Sequence, residues 1–411
     1  MIGETGFDVA RLLLDPEFRL FSEAAVAALS GGTTAPLREA IARDDSPKRR
    51  ELAAFAASIQ GVAPLLATLP DVGSLPAVVT AFLGSETASS STRATRLRRT
   101  LRETVAILRK AGVEVVALKG AALAFFHYPE PGLRPMGDLD LLLREPRDLG
   151  RATEALSRAG WRPLFDTPRH RVFARPDERV VRPAAEDAGN PVRLEVHTSF
   201  RLPVLGRVYD ASAALRAQAE TRDLDGIPTA IAAGPALLTH LLFHAAEDFA
   251  GNGIRGIQAY DFRVLARAHG ALSPEISEDS EVPSKGKKGG AAPTLYAADA
   301  VQRLFPNTFE ELFLSALSSR VIPELRQRAA ALPPLRHTRP PRGWSATALS
   351  LVESPGKKAR FLARTLFPTL GEVKANAAPD AAGAALVGAW LRVFLSRVAG
   401  AVRRQPPASS P

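Results

Sequence analysis

Val113 to Arg144 reads VEVVALKGAALAFFHYPEPGLRPMGDLDLLLR, and this stretch decides the fold. It opens on Val113-Glu114-Val115-Val116-Ala117-Leu118, a β-branched run suited to a strand. Lys119-Gly120 breaks that strand, and Ala121 to His127 has the composition of a short helix. Pro129, Pro131, Gly132, Pro135 and Gly137 then mark a turn-rich connection. It delivers Asp138-Leu139-Asp140 and the apolar run Leu141-Leu142-Leu143. Residues two apart on a strand share a face, so Asp138 and Asp140 present two carboxylates together. The apolar run behind them predicts a buried strand. Two such carboxylates repel each other unless a cation or a proton intervenes. Magnesium is the expected cation, because it is hard and is commonly held by one or two carboxylates plus substrate phosphates. The stretch is therefore the expected active site.

Outward from it, the pattern upstream is helical. Val9–Leu14, Phe21–Leu29, Pro36–Arg43 and Arg49–Leu69 carry apolar residues at helical spacings, with Gly31-Gly32 and Pro70 to Gly73 between them. GSETASSST, residues 84–92, reads as a polar linker or a helix cap, followed by a helix over Arg93–Ala111. Downstream, Pro146–Ala159 predicts a helix, and Trp161–Phe165 with Arg171–Ala174 two strands of a hairpin. Glu178–Pro191 reads as a loop. VRLEVHTSF, Val192–Phe200, is the next strand, and its alternation puts Glu195 and His197 on one face.

From Ala233 the character is helical, with helices expected over Pro235–Phe249 and Ile257–His269. Leu272–Pro293 is poor in apolar residues and reads as a disordered loop or tether. Helices resume over Tyr296–Leu304, Phe309–Ser319, Ile322–Ala331, Lys357–Leu366 and Ala384–Val402, with an extended Leu332–Gly343 and a frayed tail over 403–411. No internal repeat is visible.

The chain has 411 residues, 46% hydrophobic and 23% charged, the balance of a soluble globular protein with two or three domains. No apolar run reaches the roughly 20 residues of a membrane span. No secretion signal opens the chain, so a cytoplasmic location is expected. Cysteine is absent, which excludes disulfides and thiolate chemistry. The net charge of +10 favours polyanions, although a bias toward Arg in a Pro- and Ala-rich chain explains it more simply.

A third carboxylate completes a phosphoryl-transfer site, in which metal ions bridge phosphates. Glu195 is the candidate, since a lone charge within an apolar strand is costly; the alternative is a cross-strand ion pair with an arginine. His197 either orients a phosphate, shuttles a proton or is a structural histidine. Lys119-Gly120 stands between strand and helix, where free N–H groups favour anions, so Lys119 either meets a triphosphate or is a solvated strand end. Arg134 reaches phosphate or neutralises the carboxylates. No P-loop is present. His240 and His244 share a helix face near Glu247 and Asp248 but lack the zinc-protease order, and core or inter-domain histidines are the better reading. Asp261 on the next helix is a partner for that face.

LKGAALAFFHYPEPGLRPMGDLDLLLR followed by RLEVHTSF resembles the uncharacterised bacterial nucleotidyltransferase family of the polymerase-beta-like superfamily. HLLFHAAEDF, the Asp261–Leu265 helix and RTLFPTLGEV resemble its C-terminal part, so the likeness covers roughly residues 95–400. It implies an α+β fold, with a small mixed β-sheet palm flanked by helices and N-terminal and C-terminal helical regions. The regions expected are 1–94 helical, 95–232 catalytic and 233–402 helical. The resemblance also implies two Mg²⁺ ions and transfer of a nucleoside monophosphate from an NTP to an acceptor, whether small molecule, peptide, protein or RNA. Asp138 and Asp140 match the metal-binding acidic pair and Glu195 the third carboxylate. Lys119-Gly120-Ala121 stands where the superfamily usually has Gly-Ser. A regulator that binds nucleotide or RNA without catalysis, and a kinase-like phosphotransferase using the same carboxylates, are the alternatives.

Overall fold

The computed structural model describes residues 15–309 apart from 16, 168, 176–187, 205–206 and 271–291, with scattered positions beyond. Four helices open the described chain: α1 (Phe18–Gly31), α2 (Ala35–Ala42), α3 (Pro47–Ile59) and α4 (Ala63–Leu66). The single helix expected over Arg49–Leu69 is two, because the chain turns at Gly61, whose φ of +70° lies in the left-handed region glycine tolerates.

The largest correction follows. Residues 84–92 are not a linker; they lie inside α5 (Ala77–Lys110), a 34-residue helix. In its Ser/Thr-rich middle, hydroxyls bond back to the preceding turn, Thr87 Oγ1 to the Leu83 carbonyl at 2.8 Å and Thr92 Oγ1 to that of Ala88 at 2.9 Å, contacts that do not by themselves strengthen a helix. Val79, Leu83, Ser90 and Arg93 are buried along the same helix, so tertiary packing holds what local propensity does not.

After α5 come β1 (Val115–Ala117), α6 (Lys119–Phe126), β2 (Asp138–Leu143), α7 (Leu149–Arg158), β3 (Arg162–Asp166), β4 (His170–Ala174) and β5 (Arg193–His197). Residues 201–231, for which the pattern predicted no elements, supply the hairpin β6 (Arg201–Val204) and β7 (Arg207–Asp210), the short helix α8 (Ser212–Ala217), and the hairpin β8 (Glu220–Leu224) and β9 (Ile227–Ile231). Seven strands form one mixed sheet in the order β3-β4-β5-β2-β1-β9-β8, and β6-β7 stands apart. At its centre β2 runs parallel to β5 and antiparallel to β1. The helices α9 (Gly234–Asn252), α10 (Gly256–His269) and α11 (Ala292–Leu304) follow. The fold is α+β, a mixed sheet with helices before and after it, as the sequence predicts.

Alternation along the strands divides the interior in two. Leu139, Leu141, Leu143, Leu194 and Val196 pack with Leu97, Leu101, Val105 and Leu108 of α5 and with Ala152 and Leu156 of α7. The opposite face sends Val116, Leu118 and Leu142 into a larger core shared by α1–α4, Val79 and Leu83 of α5, and α9–α11. The long α5 thus contributes to both cores. Most of the tether expected over Leu272–Pro293 and of the loop over Glu178–Pro191 lies outside the described residues. So do the expected Val9–Leu14, the segments from Ile322 to Leu366 apart from isolated positions, and the tail. Among the described residues no helix is long and apolar enough to cross a membrane.

Candidate active site

The site is built on β2 and β5. Their parallel register sets Asp140 directly opposite Glu195, with Asp138 opposite Arg193 one pleat nearer the strand entrance. Directly opposed residues point the same way, so both aspartates and Glu195 share the sheet face turned toward α9. Asp140 is 3% exposed, whereas Asp138 stands in solvent at the mouth.

Lys119 answers the repulsion within this group. It is the first residue of α6, at the turn out of β1, and its Nζ lies 2.7 Å from Asp140 Oδ1 and 5.4 Å from the centre of the Phe200 ring. Its φ of +44° lies in the left-handed region, which costs a residue with a side chain about 1–3 kcal/mol. The next residue must be small: a Cβ on Gly120 would meet Arg134 Nη1 at 2.6 Å and Met136 Sδ at 2.8 Å. Gly120 therefore lets the loop carrying Arg134 close against the strained turn. Burial alone would lower the Lys119 pKa, but the charges of Asp140, Asp138 and Glu195 outweigh it and raise the pKa well above lysine's ordinary value.

Asp140 shows the converse. Burial would raise its pKa, yet the Lys119 charge and the hydrogen bond from His197 hold it far below the carboxylate range. His197 Nε2 is 2.9 Å from the same Oδ1 and 3.5 Å from Glu195 Oε2, so the shorter contact carries the hydrogen bond. Burial opposes a proton on His197, and that bond, with the nearby Glu195, raises its pKa regardless. Glu195 is likewise held low: burial is overcome mainly by His197, with Lys119 and His170 adding to it.

His170 is a member of the site that the sequence pattern missed. It lies directly across from His197 on β4, with ring centres 4.7 Å apart, and its Nε2 is 3.7 Å from Glu195 Oε2. Burial, then the charge of His197, pushes its pKa down to about 4. One ligand atom each from His170, Glu195 and His197 lies within 4.8 Å of the other two. The signal for His170 was its place two residues before Val172 on a strand whose partner could not be known from local pattern.

Arg93 of α5 was missed as well. Its buried guanidinium donates to the carbonyls of Gly137 at 2.5 Å and Pro191 at 3.2 Å, and also to that of Asn190. These carbonyls immediately precede β2 and β5, so one cation from α5 fixes the entry of both carboxylate strands. Arg134 is placed differently from the two roles expected for it. Its Nε and Nη2 donate to both oxygens of Asp261 at 2.9 and 2.8 Å, and Tyr128 donates to the same carboxylate at 2.8 Å. This buried pair ties the loop before β2 to α10, and Asp261 partners it rather than the histidines of α9.

α9 covers the site. His240 is fully buried, edge-on to Phe200 at 4.0 Å, and burial pushes its pKa well down, so its ring is neutral. His244 Nδ1 lies 3.3 Å from Asp248 and accepts from the side-chain amide of Gln258 at 3.2 Å. Glu247, one turn on, is close enough to Lys119 and Arg169 to feel their charges, and burial raises its pKa.

Asp138, Asp140 and Glu195 thus share one sheet face, Asp138 open to solvent, while the group among the described residues whose ligand atoms lie within 4.8 Å of one another is His170, Glu195 and His197. Lys119 holds positive charge against Asp140 at the same place.

The sequence pattern of a family described as an uncharacterised nucleotidyltransferase matches residues 48–305, more than half of the chain. The match begins in α3, ahead of the region in which the resemblance was expected, which agrees with the shared core of the N-terminal helices and the sheet, and it ends at 305, short of the expected likeness through RTLFPTLGEV. No curated protein and no solved structure matches the chain.

Proposed function

The chain belongs to the uncharacterised nucleotidyltransferase family, and on that premise we propose that it moves a nucleoside monophosphate from an NTP to an acceptor hydroxyl or phosphate. The observation that supports this most is the Asp140–Glu195 register, which sets a carboxylate from each of two parallel neighbouring strands side by side, with Asp138 on the same face.

Asp138, Asp140 and Glu195 are the residues that would hold Mg²⁺, which when bound neutralises triphosphate charge and the charge developing on the oxygens of an in-line displacement. The chain's own groups account for the rest. Lys119, fixed by the strained turn, presents its ammonium to the triphosphate beside the free N–H groups of the first turn of α6. Glu195, ionised, accepts the proton of an acceptor hydroxyl as its oxygen bonds to the α-phosphorus. The bond from that phosphorus to the β-phosphate oxygen breaks, and pyrophosphate leaves. His197 keeps Asp140 in place through its Nε2. Phe200 forms the inner wall under the Lys119 ammonium, with the buried His240 ring edge-on behind it.

The test is NTP labelled at the α-phosphate, offered with Mg²⁺ and pooled small-molecule, peptide and RNA acceptors. Label in one acceptor fraction, with pyrophosphate released, is the expected result. Label that stays on a nucleoside diphosphate would assign the site to a kinase-like phosphotransferase. No NTP binding by calorimetry would leave a regulator with this fold.

A further inference from the structure

We propose that His170, Glu195 and His197 form a second cation site, one selective for a nitrogen-preferring divalent ion of the Zn²⁺ or Co²⁺ class rather than Mg²⁺. Glu195 is shared with the carboxylate group described above, but the two histidines change the chemistry of the donor set, and in taking the ion His197 Nε2 would give up its proton and its 2.9 Å bond to Asp140. Imidazole suits zinc and its neighbours, whereas magnesium takes oxygen ligands.

The distances carry the inference. His170 Nε2 and His197 Nε2 approach the same oxygen, Glu195 Oε2, at 3.7 and 3.5 Å. The first separation is too long for a hydrogen bond and the second is at its limit. The second equals, and the first exceeds by about 0.2 Å, the edge of a tetrahedron about an ion with bonds of about 2.0–2.1 Å, whose neighbouring donors stand about 3.3–3.5 Å apart. The third pair closes the triangle, since all three ligand atoms lie within 4.8 Å of one another. Three protein ligands and an open fourth position are the arrangement of a reactive zinc site rather than a structural one.

The backbone makes the triangle rigid. His170 and His197 are opposed across β4 and β5, and Glu195 is opposed to Val172 on the same pair of strands. Cross-strand register, not loop conformation, therefore sets the spacing. Behind His170, Thr167 Oγ1 lies 3.1 Å from Nδ1 and is itself fixed by the backbone N–H groups of Arg169 and His170 at 3.2 and 3.0 Å. With that hydroxyl accepting the Nδ1 proton, the Nε2 lone pair faces Glu195, which is the orientation a ligating imidazole needs. Thr167 is thus a positioning residue for the first ligand.

The ion's place beside Asp140 deepens the reading of the site as a transferase, and its binding can be measured without any transfer. The full-length chain, stripped of metal by chelator, is titrated with Co²⁺ and followed by its visible absorbance, and with Zn²⁺ in the calorimeter. One equivalent of Co²⁺ is expected to give the intense bands of a four- or five-coordinate ion, displaced by Zn²⁺. His170→Ala should weaken binding at least tenfold and bleach those bands, and Thr167→Val should weaken it by about ten- to a hundredfold. Asp138→Asn should leave the Co²⁺ spectrum unchanged while weakening Mg²⁺-dependent NTP binding. Circular dichroism confirms that each variant is folded. An unaltered spectrum and affinity in His170→Ala, or no spectrum in the wild-type chain, would overturn the proposal. A normal Co²⁺ spectrum in a chain that releases no pyrophosphate with any metal would overturn the transfer reading alone.

Discussion

On one face of the central sheet, Leu139, Leu141, Leu143, Leu194 and Val196 meet the second half of α5 and the helix α7. On the other face, one residue along the same strands, stand Asp138, Asp140, Glu195 and His197 under α9. Backbone, register and depth are shared; only the parity differs. The apolar face can be satisfied by any close-fitting hydrocarbon. The polar face has to satisfy each charge individually, and it does so through Lys119, His197 and the paired Arg134 and Asp261. The strands thus separate stability from chemistry by a period of two, which makes the two faces independently testable.

The largest expected effect is on the polar face. Asp140→Asn should reduce transfer by on the order of 10⁴-fold, about 5 kcal/mol of lost charge stabilisation, while the melting temperature moves only a few degrees. Residual activity within tenfold of wild type would remove Asp140 from the chemistry. Next is Arg134→Ala, which leaves Asp261 buried without its guanidinium and should cost about 4 kcal/mol of stability in chemical denaturation. If Arg134 served the triphosphate instead, NTP binding would weaken and stability would hold. On the apolar face Leu141→Ala should cost about 3 kcal/mol, with transfer per folded molecule unchanged. A loss of activity at full stability there would mean that the two faces are not separable.

How much of this was open to sequence reading depends on how local each signal is. β1, α6 and β2 were legible because a β-branched run, a Lys-Gly break and the alternation of Asp138-Leu139-Asp140 are complete within one stretch. The facing of Glu195 toward Asp140 was legible as parity, but not as register, because β2 pairs with β5 and not with the intervening β3. His170 was hidden for the same reason: nothing in its neighbourhood says that β4 will lie against β5. Asp225-Gly226 was a signal overlooked. Both residues have positive φ, 52° and 83°, and the pair is a strong hairpin turn that joins β8 to β9 and so completes the sheet beside β1.

The helix α5 was misread for a physical reason, and the smallest of the expected effects bears on it. Gly, Ser and Thr lower helix propensity, so residues 84–92 look like a linker when judged alone. In the fold, one helix passes from the core of Val79 and Leu83 to that of Leu97 and Leu101, and the interval must stay helical to connect the two faces of the sheet. Gly84 is exposed on this helix, and a Cβ there would meet nothing within 4 Å. Gly84→Ala should therefore stabilise the protein by roughly 0.5–1 kcal/mol, by removing glycine's freedom in the unfolded chain. Gly84→Pro should cost about 3 kcal/mol, because it removes a backbone donor and crowds the preceding turn. A linker predicts otherwise: alanine would be neutral and proline tolerated. Denaturant midpoints of the two variants decide between these cases, and a neutral pair would mean that the two cores are joined by a hinge rather than by a rod.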